Sequence, residues 1–456
     1  MSVKDDFVKQ AAEAPARVLD ATVSGSKNAF KVANNHNQTK RIRRFWHILG
    51  PGLTTGASDD DPAGIATYSQ AGARFGYNFL FVSLITFPLM SVVQEMCARI
   101  GLVTKKGLAA NIKEHFPLPI LYISAGLLFC ANIFNIGANL GAMASSTQLI
   151  FPQISFPALV VIFTIITLVL QVSFRFEKYS QILKWLSLVL LAYIISAFLV
   201  DDIEWKVVFY KMLHPGFTFE EDQMLLLCAI FGTTISPYLF FWQTTQEVEE
   251  KYPSAPQKTA FHVNRKTIHE MRIDVWMGML FSSIVMFFII TTCAATLNLG
   301  GLSEIDTSYQ AAKALEPLAG KNASLLFSLG IIGTGLLSIP ILAGSASYAI
   351  SESLGWKKGL GKQLKHAYAF YGIIIFSLIF GLVINFLGLD PIKALIYSAI
   401  INGLISPLFL IQILILSSNQ KVMGKFKNSQ LGNIIGWIAA VVMVAACALT
   451  ILFGII

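Results

Sequence analysis

Charge is what this sequence has least of. Of its 456 residues only 13% are Asp, Glu, Lys or Arg, whereas 55% are hydrophobic; a water-soluble chain usually carries about a quarter charged residues. That excludes an ordinary soluble protein and predicts an integral membrane protein. The apolar segments follow one another with short polar gaps, so they form one polytopic domain rather than several soluble ones. Cysteine is scarce as well: Cys97, Cys130, Cys228, Cys293 and Cys447 all lie in or beside apolar stretches, and none pairs with another at CxxC spacing. This excludes a disulfide frame and a thiolate metal site, and leaves small core residues. There is no HExxH, no GxSxG elbow and no Walker A loop, which argues against a membrane-embedded enzyme and against an ATP-driven pump in this chain. Residues 1–45 lack an apolar h-region, so they are expected to be a cytoplasmic tail and not a signal peptide.

The excess of 34 Lys+Arg over 26 Asp+Glu, net +8, has a membrane explanation that makes a nucleic-acid partner unnecessary. About 20 apolar residues cross a hydrocarbon core of about 30 Å as a helix, and continuous runs of that length are helices rather than barrel strands. Spans are expected at 46–73, 78–100, 118–150, 154–174, 181–200, 224–248, 272–298, 322–349, 366–388, 391–417 and 433–456, eleven in all. With the N-terminus inside, the groups Arg41, Arg43, Arg44; Arg99, Lys105, Lys106; Arg175, Lys178; Lys251, Lys258, Arg265, Lys266; Lys357, Lys358, Lys362; and Lys421, Lys425, Lys427 all fall on the cytoplasmic side. The C-terminus then lies outside, and the expected location is the cell membrane. The opposite loops are acidic or mixed, with Asp201, Asp202, Glu204, Glu220, Glu221, Asp222, Glu304 and Asp306. Those acids either concentrate cations at an entrance or are plain solvated loop surface.

Two spans differ from the rest. Span 1 contains Gly50-Pro51-Gly52 and then Ser58-Asp59-Asp60-Asp61-Pro62-Ala63-Gly64; span 6 contains Phe231-Gly232-Thr233-Thr234-Ile235-Ser236-Pro237-Tyr238. Helix breaks at corresponding places five spans apart point to two halves of inverted topology, with discontinuous helices meeting at the bilayer midplane. Two proline kinks in ordinary helices are the plainer alternative. The carboxylates weigh against it. A charge at a helix centre costs at least about 2.5–3.5 kcal/mol, so three aspartates facing lipid would cost on the order of 8–10 kcal/mol. At least one must face a partner or water, and a mid-membrane carboxylate beside carbonyls freed by a helix break can ligate a cation.

Gly50-Pro51-Gly52, Asp61-Pro62, Ala66-Thr67, Gln70-Ala71-Gly72-Ala73 and Phe75-Gly76-Tyr77 resemble the first span of Nramp divalent-metal transporters. The likeness continues through Ala98-Arg99, Gly101 and Glu114-His115 into span 3, and beyond span 6 rests mainly on span count. It implies an all-α, LeuT-like (APC superfamily) 5+5 inverted repeat: repeat one at about 46–200, repeat two at about 224–417 and an extra helix at about 433–456. The usual family site is an Asp-Pro-Gly-Asn motif in span 1 and a Met-Pro-His motif in span 6, with a backbone carbonyl near each. Carried over, the Asp is Asp61, the Asn position holds Gly64, the Met position Ser236, the His position Tyr238, and the carbonyl belongs to Thr233. The family's span 3 acids fall at Asn135 and Ala138, and Asn135 takes no proton at ordinary pH.

These departures agree chemically. Asp61, the Ser236 hydroxyl, a Thr233 carbonyl and water are hard oxygen donors, which suit Mg²⁺, or Mn²⁺ and Ca²⁺, where a thioether would favour softer metals. Gly64 and Ser236 leave room for retained water. The pattern is similar to the Nramp-related magnesium transporters, and the expectation is alternating-access transport of a partly hydrated divalent cation without proton coupling. A permease for an organic solute such as an amino acid, or a relative that has lost metal binding, stands as the alternative. Asp59 and Asp60 are acids the usual motif lacks; they either line the cavity or cap and position the broken helix. Asn132, Asn135 and Asn139 form one stripe that lines a pathway or bonds across helices. Asn402, near Pro407, reaches the site or only packs, and Thr234 and Tyr238 flank the second break. Glu95, Glu247, Glu249 and Glu250 either line an exit or are solvated helix ends. The methionines, Met90 and Met96 among them, are packing residues. No resident cofactor and no obligate protein partner are expected; the partners are the cation and the bilayer.

Overall fold

The computed structural model describes residues 50–173, 190–200, 203–218, 220–252, 263–362 and 364–452. The tail at 1–45, the first half of span 5, and Arg41, Arg43, Arg44, Arg175, Lys178, Lys258, Asp201 and Asp202 lie outside the described residues. Among the described residues every regular element is helical. Span 1 is two pieces, α1 (Pro51–Asp59) and α2 (Pro62–Phe75). They are followed by α3 (Phe81–Thr104), the short α4 (Leu108–His115), α5 (Leu118–Gln148), α6 (Phe156–Ser173), α7 (Leu191–Leu199) and α8 (Trp205–Leu213). Span 6 is again two pieces, α9 (Glu221–Thr234) and α10 (Pro237–Lys251). Then come α11 (Arg265–Cys293), α12 (Ala323–Leu354), α13 (Tyr368–Ile384), α14 (Pro391–Ser418) and α15 (Gln430–Leu452).

Among the described residues, eight helical stretches are long and apolar enough to cross a membrane. The other three expected spans miss that measure for separate reasons. Span 1 is divided at its aspartates, span 5 is described only from residue 190, and α13 is apolar but short. Of these labelled helices, two lie outside the expected spans: α4 follows span 2, and α8 fills the loop expected between spans 5 and 6.

Burial separates centre from rim. In the most apolar window of Glu221–Lys251, 89% of residues are buried, against 33% in α6 and 39% in α15. The broken helices therefore sit at the centre, while α6 and α15 present Val161, Ile162, Ile165, Val441 and Val444 outward. A wide exposed apolar face of this kind belongs in lipid. All five cysteines are free, and Cys130 corrects the expectation that each is a core residue: it is exposed.

Small residues set the position of α1. Asp274, Gly278 and Ser282 are four residues apart on α11 and so share one face, which is turned to α1. A Cβ on Gly56 would lie 2.2 Å from the Gly278 carbonyl oxygen, and one on Gly278 would lie 2.2 Å from that of Gly52. No side chain fits between these backbones. Gly278→Ala is expected to displace α1 and lower stability in detergent by about 1–3 kcal/mol, the usual cost of overpacking. A thermal-unfolding midpoint equal to wild type would refute this contact.

Candidate functional site

Proline creates the site. Its ring clashes with the carbonyl four residues earlier and it brings no N–H, while it biases the preceding residue to an extended conformation. Pro62 thus ends α1 and frees the Ser58 carbonyl; Asp61 is extended at φ −70, ψ 173 and becomes the N-cap of α2. Its Oδ1 accepts from the Gly64 N–H at 2.9 Å. Pro237 does the same in span 6, freeing the Thr233 carbonyl and leaving Ser236 extended at φ −82, ψ 132.

The freed carbonyls find partners within the protein. Tyr238 donates its hydroxyl to the Ser58 carbonyl at 3.2 Å, so each break is tied to the other. Ser236 Oγ donates toward the Thr233 carbonyl at 2.9 Å and the Gly232 carbonyl at 2.5 Å. From α14, Ser406 Oγ donates to the Ile235 carbonyl at 2.8 Å. Serine hydroxyls thus face the carbonyls of the second break.

Asp61 is 1% exposed, and its second oxygen faces α5. Asn139 Nδ2 is 3.3 Å from Oδ2 and Asn135 Nδ2 is 3.5 Å away. Asn139 also donates to Ser338 Oγ at 3.1 Å. The asparagine stripe divides: Asn132 turns away and donates to the Leu342 carbonyl and Ser345 Oγ, both at 2.9 Å. Among the described residues no Lys, Arg or His forms an ion pair with Asp59, Asp60 or Asp61. Three adjacent carboxylates are thus enclosed without a basic side chain to offset them.

Gly64 joins the two breaks. A Cβ there would lie 3.2 Å from the Asp59 carbonyl oxygen, 3.3 Å from Thr233 Oγ1 and 3.4 Å from Tyr68 Cε2. Asp61, Gly64, Thr233 and Asn135 therefore meet, but the room expected at Gly64 is closely lined here. Thr234 folds its hydroxyl back onto the Ile230 carbonyl at 2.8 Å. Asn402 is buried on α14, and its own carbonyl accepts from Ser406 at 2.6 Å. It is Ser406, a residue the sequence did not single out, that reaches the break. Asp59 and Asp60 meet neither Asp61 nor Tyr238 by hydrogen bond. They converge on Ser282 of α11, whose Oγ is 2.5 Å from Asp59 Oδ2 and 3.2 Å from Asp60 Oδ1.

Beside α2, a small cavity of about 10 Å³, room for about one water, is lined by Pro62, Ile65, Ala66, Ala142 and Ile331 among others. Its contact with Pro62 brings it next to Asp61. Beside α1 the packing is closed. Asp274 accepts from the Gly52 N–H at 2.7 Å and the Leu53 N–H at 3.1 Å, and Thr55 donates to Gln243 at 2.5 Å, which donates to Glu247 at 3.0 Å. Glu95 is paired with Arg99 and Arg272 and accepts from Trp276 Nε1 at 3.0 Å, and Glu249 accepts from Tyr348 at 2.7 Å.

Among the described residues no three His, Cys, Asp or Glu side chains form a ready-made metal cluster. A cation at Asp61 would need a mixed shell of carboxylate, carbonyl, amide or hydroxyl oxygens and water, as hard cations accept. Asn139 was expected only as one member of the asparagine stripe, and Ser282 and Asp274 belong to this region without having been expected there. The signal for the last two was a polar or small residue every fourth position, Asp274, Gly278 and Ser282, in an otherwise apolar span.

Two relatives match nearly end to end. Proteins described as divalent metal cation transporter MntH are 23% identical in Pectobacterium carotovorum over 91% of this chain and 96% of that protein, and 24% identical in Deinococcus radiodurans over 89% of each. Among solved structures, the Eremococcus coleocola manganese transporter bound to an aromatic bis-isothiourea compound superposes with a TM-score of 0.70 at 18% identity, over 92% of this chain and 87% of that one. Mhp1, a nucleobase-cation-symport-1 family transporter in a closed conformation, superposes with a TM-score of 0.55 at 16% identity, over 88% and 92%. These likenesses establish the expected LeuT-like inverted-repeat fold. Residues 52–453 match the Nramp family, described as natural resistance-associated macrophage protein-like. The chain is a member of the Nramp family.

Proposed function

We propose that this protein moves a hard divalent cation, Mg²⁺ first and Mn²⁺ second, across the cell membrane by alternating access around Asp61. The observation that carries the reading is a fully enclosed Asp61 carboxylate at the meeting of two broken helices, faced by Asn135 and Asn139 amides and, among the described residues, paired with no basic side chain. A buried carboxylate held by amides and not neutralised by a basic side chain marks an ion path. The relatives named as divalent metal cation transporters support the cargo class. The preference for Mg²⁺ rests on the donors available: the Asp61 carboxylate, the Thr233 carbonyl and the Ser236 hydroxyl are hard, and water completes the shell. Gly64, Asn135, Asn402, Thr234 and Tyr238 border the cavity in this reading.

Transport proceeds without proton coupling. Asn135 and Ala138 stand where the family resemblance implies acids, and neither side chain can carry a proton. Basic residues beside the spans support an inside N-terminus and an outside C-terminus. No protein partner is required.

Purified protein in liposomes tests the reading through Mg²⁺ and Mn²⁺ uptake with an internal pH dye. Uptake with a flat pH signal is expected; no uptake of any divalent cation rejects the function, and strong metal-driven acidification rejects the uncoupled mechanism. Asn139→Ala is expected to weaken apparent cation affinity by about tenfold, the scale at which groups orienting a ligand act. An affinity equal to wild type removes Asn139 from the site.

A further inference from the structure

We propose a second cation site beside the first, built from Asp59, Asp60 and Ser282. It rests on the reading of this protein as a hard-cation transporter. Asp59 and Asp60 are both 0% exposed, and each keeps one oxygen, Asp59 Oδ1 and Asp60 Oδ2, with no hydrogen-bond partner. Their other oxygens converge on one hydroxyl, with Ser282 Oγ at 2.5 Å and 3.2 Å. A serine hydroxyl has a single proton and donates to one acceptor at a time. Only one of the two contacts can therefore be its hydrogen bond to an anion, and the other brings a carboxylate oxygen against a lone pair. A cation shared by the two carboxylates and the hydroxyl removes that conflict and occupies the orphaned oxygens.

A fourth buried group without a partner lies close by. The Tyr68 hydroxyl is 0% exposed and has no hydrogen-bond partner. It lies within electrostatic reach of Asp59, Asp60 and Asp61, Asp59 most strongly. The Tyr68 ring and the Asp59 carbonyl also flank one point, the place where a Cβ on Gly64 would sit, at 3.4 Å and 3.2 Å. A buried polar group without a partner is costly, and a hydroxyl oxygen beside two carboxylates is a further hard donor.

Two carboxylates and one serine hydroxyl, with the Tyr68 phenol near them, make an all-oxygen set whose two negative charges balance one divalent cation. The site lies on the α1 side of Asp61, against α11 rather than α5. A cation released from Asp61 toward α1 meets this pair next, so the path has two stations. The cation at the second station bridges α1 and α11, the two helices locked together by Gly56, Gly278 and Asp274.

Equilibrium Mn²⁺ binding to the purified full chain, with anomalous diffraction from Mn²⁺-soaked crystals, tests the assignment. Wild type is expected to bind two ions, one beside Asp61 and one beside Ser282. Asp59→Asn combined with Asp60→Asn keeps side-chain shape and is expected to bind one ion, at Asp61. Asp61→Ala is expected to keep the ion beside Ser282, and Ser282→Ala to weaken that ion about tenfold. One ion in wild type, lost in Asp61→Ala and unaffected by the double variant, overturns the second site and leaves the transport reading standing. No ion in wild type overturns both. A double variant that elutes as monodisperse protein yet binds two ions also overturns the second site.

Discussion

Asp61→Ala is expected to abolish divalent-cation uptake into liposomes and to weaken binding at the first site by at least roughly a hundredfold. Loss of groups that merely orient a ligand costs 10–100-fold, and Asp61 is the carboxylate itself. The effect does not come from unfolding. Asp61 caps α2 through one bond to the Gly64 N–H at 2.9 Å, and losing an N-cap costs about 1 kcal/mol, which a packed transporter tolerates. Asp61→Asn separates the two contributions, since its amide oxygen still caps the helix but carries no charge. Uptake is expected to stay lost while the thermal midpoint returns to near the wild-type value. Equal uptake by wild type and Asp61→Ala would remove Asp61 from the mechanism.

Asp274→Ala is expected to release the α1 half-helix. The carboxylate accepts from the Gly52 and Leu53 N–H groups at 2.7 Å and 3.1 Å, the two-bond capture that the positive end of a helix offers to an anion. Hydrogen bonds to charged groups contribute about 1.5–3 kcal/mol each, so losing both costs about 3 kcal/mol once water replaces part of the loss. That shifts a two-state equilibrium about a hundredfold. Ala57 is 5% exposed. A cysteine placed there in a chain whose native cysteines are replaced should react with a soluble maleimide at least about tenfold faster in Asp274→Ala. An unchanged labelling rate would show that the tight Gly56–Gly278 packing alone holds α1. The two variants act on different steps: Asp61→Ala removes the cation's ligand, and Asp274→Ala changes which side of the site is closed.

Much of this organisation was legible from residue order. The Asp61-Pro62 and Ser236-Pro237 pairs place two helix breaks within a residue or so, because proline acts through local covalent geometry. The spans at 118–150 and 391–417 fall within two residues of Leu118–Gln148 and Pro391–Ser418, because long apolar runs have few ways to be satisfied in a bilayer. Less was legible where a partner is distant in the chain. Asn132, Asn135 and Asn139 make one stripe in sequence, yet only two of them face Asp61 while the third turns to Leu342 and Ser345. Asn402 was the polar residue to notice in span 10, but Ser406, one turn further on, meets the Ile235 carbonyl.

The sequence by itself determined that the chain crosses a membrane as helices, where two of them break, and that Asp59, Asp60 and Asp61 lie at depth. Each of these follows from local rules of solvation and backbone geometry. The tertiary structure alone decided that Asp61 faces α5, that Asp59 and Asp60 meet Ser282, and that Asp274 closes on the start of α1. Those pairings join residues 74 to 223 positions apart, and no local rule of the chain specifies which distant helix face a side chain will meet.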